Sequence, residues 1–256
     1  MYLDHFKLTD FPFLQSGKDE LYFVTPPARK QIVRIQHWLD SGHDFLLVTG
    51  IEGCGRASLV HHALAQAALN THVITVGGLV LDDVEFLHYI ALELGLSPDR
   101  IDSMTLRHAI KTHLKSRADQ ASRVCLVIRQ AELRPESQLH LLRDLARDPD
   151  FYLPLCSVVL VAGPAHARDC ARLIREQPGG SFHCQIPVAP LTRAMTRQYL
   201  DYRWELVKQQ ETTAVEQCIP DEVSAEIHAR SGGNVVAQVA DLGDQPELAE
   251  LIGTIK

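Results

Sequence analysis

At 256 residues, 46% of them hydrophobic and 22% charged, the chain has an ordinary globular composition and enough length for one large core or two smaller ones. A net charge of −7 argues against a broadly basic nucleic-acid surface. The six cysteines (54, 125, 156, 170, 184 and 218) show no Cys-x-x-Cys pair and no metal-ligand spacing, and those in runs such as VCLVI read as reduced, small hydrophobes.

The opening MYLDHFKLTDFPF lacks the basic stretch and apolar core of an export signal. The longest apolar stretch, 155–165, is broken by Ser157, Gly163 and Pro164 and is too short to span a bilayer. These features predict a cytoplasmic protein with no direct membrane insertion. In chain order, PPARKQIVRIQHWLDSG predicts a helix beside the first strand. Five β-rich runs follow: DFLLVT (44–49), HVITV (72–76), RVCLVI (123–128), SVVLVA (157–162) and HCQIPV (183–188). Near-continuous apolar strands of this kind belong in a parallel sheet covered on both faces.

Helical patterns alternate with these strands at 56–69, 81–94, 104–117, 136–148 and 165–176, with Asp82-Asp83 and Ser103 as helix-start signals. Alternation predicts a doubly wound α/β domain over 1–187, with 1–43 as its N-terminal segment and helix. After Pro190 only helical patterns remain: TRAMTRQYLDYRWELVKQQ, DEVSAEIHARS, NVVAQVADL and QPELAELIGTI. They predict a helical domain over 188–256.

The chemistry concentrates in GIEGCGRAS (50–58), between the first strand and the next helix. Gly50 and Gly55 match the glycines of the P-loop pattern G-x-x-x-x-G-K-[ST], but Arg56 stands for the lysine and Ala57 for the metal-binding hydroxyl. Backbone N–H groups at a helix N-terminus can still cradle phosphate oxygens, so Gly50, Gly53, Gly55, Arg56 and Ser58 are the candidate vestigial nucleotide-binding residues. Arg56 keeps charge, but its planar fork is no copy of a compact ammonium. Elsewhere, adjacent His61 and His62 point in different directions and predict a surface position, and the basic helix RHAIKTHLKSR (107–117) reads as a solvated face. Asp201, Arg203 and Glu205 read as a charged helical surface.

With these elements in order, the chain resembles the AAA+ ATPases of the general-secretion-pathway protein A (ExeA-like) group. The resemblance runs through MYLDHFKLTDFPF with its Pro12-Phe13, LYFVTPPARKQ, SGHDFLLVTGIEGCG, PLTRAMTRQYLDYR and SGGNVV. It implies a P-loop NTPase α/β domain followed by a helical lid. It also implies what is replaced. The Walker-B carboxylate and the water-activating glutamate fall on Arg129 and Gln130. Glu132 is the nearest acid, two strand steps and more than ~6 Å away. The sensor glutamine after the fourth strand falls on Pro164, the lid's sensor arginine on Val236, and the arginine before the last strand on Ser181. An arginine finger alone is worth roughly 10³ to 10⁵ in rate.

The implied reading is a pseudo-ATPase with no catalytic residue and no metal site. It would act as an adaptor or scaffold in a bacterial envelope assembly such as secretion, a pilus or polysaccharide export. The expected partners are proteins, in a membrane-associated complex or an active AAA+ paralogue, with recruitment to the inner membrane through them. No cofactor is expected beyond weak, Mg²⁺-independent ADP or ATP. Two alternatives stay open: an ATPase or switch completed by a partner subunit, and a DNA-associated regulator, against which the net charge counts. If subunits pack on the P-loop face, Arg56 and Arg129 need an acid there, from Glu52, Glu132 or a partner.

Overall fold

Five parallel strands lie in the order β2-β3-β4-β1-β5: β1 Phe45–Thr49, β2 Thr71–Val76, β3 Arg123–Ile128, β4 Ser157–Ala162 and β5 Phe182–Pro187. The computed structural model describes residues 8–10, 22–67, 71–78, 80–97, 102–120, 122–175, 182–208 and 219–237. Contacts gather the chain into two compact units: 30–50 with 60–187, which holds the sheet, and 1–29 with 51–59 and 188–256.

In the sheet unit every residue of β1 and β4 is buried, and this requires cover on both faces. One core joins Phe45, Leu47, Val158 and Leu160 to helices α3 (Asp83–Glu93), α4 (Ser103–Asp119), α5 (Glu136–Ala146) and α6 (Ala167–Arg175), through residues such as Phe86, Ile110, Leu142 and Cys170. Leu46 and Val48, of opposite parity, are equally buried. Helix α1 (Pro26–Asp40) buries Ile32, Ile35 and Leu39 at helical spacing, and its Trp38 Nε1 donates to the Phe45 carbonyl at 3.1 Å.

Local chemistry sets the helix starts. Asp82 caps α3 in a reciprocal box with Glu85. Asp102, rather than the expected Ser103, caps α4 by accepting from the amides of Met104 and Thr105. A carboxylate accepts two amides more strongly than a hydroxyl does, so the boundary moves one residue earlier. The basic face of α4 is not merely solvated: Arg107 and Lys111 bond Asp144, and Lys111 and Lys115 bond Asp148. The neighbouring Arg147 donates to Asp44, 1% exposed, at 2.6 and 2.7 Å.

In the other unit, α7 (Arg193–Glu205) starts at Thr192, whose hydroxyl accepts from the Met195 amide, and α8 (Asp221–Ser231) ends at left-handed Gly232. Leu8, Tyr199, Leu200, Trp204, Val207, Ile219 and Ile227 form its core, and Phe23 packs on Tyr199 and Tyr202. A third helix begins at Val235 and is described as far as Ala237; the helical pattern at 245–255 lies outside the described residues. No described helix is long and apolar enough to cross a membrane.

Candidate functional site

The glycine loop opens α2 (Arg56–Ala65). Gly53 and Gly55 have φ of +78° and +88°, the left-handed conformation that lets successive amides turn to one side. Among the described residues the amides of Gly53, Gly55, Ala57 and Ser58 meet no backbone acceptor. Arg56 is half-buried, and its Nη1 is buried without a hydrogen-bond partner. Ser58 is exposed and Gly50 half-buried. Cys54 is buried and donates to the Val188 carbonyl at 3.6 Å. Burial pushes its thiol up, and the Arg56 charge opposes that shift. Tyr22 lies nearby, its phenol pushed up to about 12 by burial and by Cys54.

Amides at a helix start that meet no described backbone acceptor, and a buried guanidinium nitrogen without a described partner, fit phosphate oxygens. They do not fit Mg²⁺, because Ala57 offers no oxygen. Among the described residues no cluster of three His, Cys, Asp or Glu is placed to hold a metal. The helical domain closes on the same loop. The Asn234 side-chain amide donates to the Glu52 carbonyl at 2.6 Å, and the amide of Val236 reaches the Gly53 carbonyl at 3.4 Å. Val236, 45% exposed, therefore meets the loop through its backbone and carries no charge to it.

The second group of residues belongs to the sheet unit. Arg129, exposed, extends β3 by one bond to the Val76 carbonyl. Gln130 then turns the chain with φ +50°, alone in positive φ among the described non-glycine residues. Its side-chain oxygen occupies the space where Gly78 lacks a Cβ. That turn starts a 3-10 helix at Ala131–Leu133. Glu132 is therefore not two strand steps onward, as an extended chain would place it. It folds back so that Oε1 lies 3.5 Å from the Cβ position of Gly163, after β4, while Oε2 is buried with no partner. Its charge helps push the Cys170 thiol up to about 11, behind the larger effect of burial.

Pro164 is exposed in the turn after β4, and Ser181 lies outside the described residues. Within their own units, Arg56 makes no ion pair with Glu52 and Arg129 none with Glu132 among the described residues. Sequence reasoning missed Arg134. This residue is 7% exposed, bonds the Gly77 carbonyl and lies 5.8 Å over the Phe86 ring, and burial holds its pKa down. It also missed Asn234, although an Asn ahead of an apolar helical run is a cap signal.

A model of the AAA domain matches residues 36–170. General secretion pathway protein A of Aeromonas hydrophila is 23% identical over 210 residues, which are 80% of this chain and 38% of that protein. The chain thus spans less than half the length of this relative. Among solved structures, Cdc6p from Pyrobaculum aerophilum superposes with a TM-score of 0.70 at 13% identity, over 96% of this chain and 67% of that one. The Aeropyrum pernix ORC1 protein, solved in complex with DNA, gives 0.67 at 13% identity, over 94% and 70%. Identities this low establish the shared fold.

Proposed function

The chain belongs to the AAA domain family, and from that premise we propose that it is a non-hydrolysing member that works as an adaptor or scaffold through protein contacts. The observation that carries this reading is the end of β3. By the resemblance, Arg129 and Gln130 take the places of metal support and base, and Gln130 adopts a left-handed turn over Gly78. With Ala57 in the loop, nothing in either group of residues holds a divalent ion. The resemblance to general secretion pathway protein A supports a role in a secretion-type envelope assembly, with protein partners bringing the chain to the membrane.

The test is phosphate release from ATP by the purified chain. No release above a blank is expected, with or without Mg²⁺. A steady turnover that vanishes in Arg56→Ala overturns the proposal.

One observation favours a second reading, a nucleotide-dependent switch without hydrolysis. Arg56 Nη1 and the free loop amides match a phosphate, and they need no metal to do so. Under this reading, titration calorimetry detects ADP with the same affinity in EDTA and in Mg²⁺. Strong enhancement by Mg²⁺ would remove both readings, because it requires an ion site that these residues lack.

A further inference from the structure

We propose that Asn234 is a latch that holds the helical domain on the glycine loop without any nucleotide. It works inside one compact unit and stands on that unit's geometry, whichever assembly the chain serves.

The side chain divides its two ends between two tasks. Its Oδ1 accepts from the amides of Val236 and Ala237 at 3.0 and 3.1 Å and so caps the helix that starts at Val235. Its Nδ2 donates to the Glu52 carbonyl at 2.6 Å. Only one orientation of the amide serves both, because the helix start supplies donors and the loop supplies an acceptor. The Val236 amide adds a longer contact to the Gly53 carbonyl.

Gly53 makes the approach feasible. A Cβ there would sit 2.1 Å from Asn234 Oδ1 and 2.7 Å from Cγ and Nδ2, so the amide lies against the bare Cα. On the other side of the motif, Leu191 donates to the Gly233 carbonyl at 2.9 Å, and a Cβ on Gly233 would sit 2.1 Å from the Leu191 carbonyl oxygen. Two glycines thus bring the Gly233-Asn234 step down onto the loop and onto the chain ahead of α7.

The latch uses carbonyls of the loop and, among the described residues, leaves the amides of Gly53, Gly55, Ala57 and Ser58 without backbone acceptors. Closure of the helical domain and occupancy of the phosphate cradle are therefore separate events. A lid tied by a charged side chain reaching the nucleotide would close only when the nucleotide is present. A lid tied by Asn234 is closed beforehand, and an adaptor that must present one fixed surface needs that property.

The test is hydrogen exchange of the full chain, with and without saturating ADP. Peptides from the glycine loop and from 219–237 are followed, with β3 and β4 peptides as the control for global folding. In the unaltered chain, ADP is expected to change lid protection by less than about two-fold. Asn234→Asp keeps the cap acceptor but removes the donor to Glu52, and should speed loop and lid exchange by about ten-fold while the strands stay protected. Exchange within about two-fold of the unaltered chain overturns the latch, as does a ten-fold gain of lid protection on adding ADP.

If Asn234→Asp loosens the strands as well, Gly53→Ala and Asn234→Ala decide. Each breaks the same contact besides its own local cost (left-handed strain at Gly53, loss of the cap at Asn234), so the pair together should speed exchange by clearly less than the product of the two alone. Effects that multiply mean independent damage and overturn the proposal.

Discussion

Two glycines with similar backbones separate conformational strain from crowding. Gly55 has φ +88° with nothing within 4 Å of the place a Cβ would take, whereas Gly233 has φ +78° and the Leu191 carbonyl oxygen 2.1 Å from its Cβ position. Alanine at Gly55 meets only the left-handed penalty, about 1–2 kcal/mol. Alanine at Gly233 meets that penalty and a backbone atom that cannot rotate away, so it should cost clearly more. Thermal melts of the two variants check this, and equal losses would mean that the Leu191 segment yields easily. Gly78 is a different case, since the atom in its way is the end of the Gln130 side chain, which can turn aside. At this scale the side chains after β3 are each accommodated. Gln130 has a turn and a space of its own, and Glu132 is carried to the end of β4.

Among the elements, α4 and α5 are tied by charge as well as by their apolar faces. Lys115 lies 2.8 Å from Asp148 and holds its carboxyl below the usual range, and the Thr105 hydroxyl and amide do the same for Asp102 at the start of α4. Both groups have folded-state values below the unfolded value of about 3.9. Their stabilisation is therefore complete above that value and is lost as pH falls through the lower folded-state values. The urea midpoint should hold steady from about pH 6 and then drop below about pH 4. Asp148→Asn should start lower and fall less. A midpoint as steep in that variant as in the unaltered chain would show that the pair contributes nothing. In the sequence the α4 cations looked like a solvated face because their partners, Asp144 and Asp148, lie beyond a whole strand.

On the scale of the whole molecule, the end of the sheet unit after β3 is open to solvent. Arg129 is exposed there, and Leu133, 55% exposed, follows on the same turn. On the adaptor reading this end meets a protein partner, and Arg129→Glu should reduce partner recovery from the native cell by about ten-fold with an unchanged melting temperature. Undiminished recovery from a folded variant would move the contact to the helices after Pro190. Val80, 90% exposed, comes from the segment after β2 and is the apolar residue to alter next.

The parallel sheet, the described helices after Pro190 and the glycine loop at the start of α2 were legible in the sequence, because apolar periodicity and glycine spacing are local signals. Tertiary structure decided where Glu132 and Asn234 go. Glu132 looked displaced along a strand until the left-handed turn at Gln130 folded it back beside Gly163. Asn234 was one polar residue before a helix until Gly53, far earlier in the chain, proved to be the bare surface it lies on. Both outcomes depend on contacts between segments far apart in the chain, and periodicity carries no information about those.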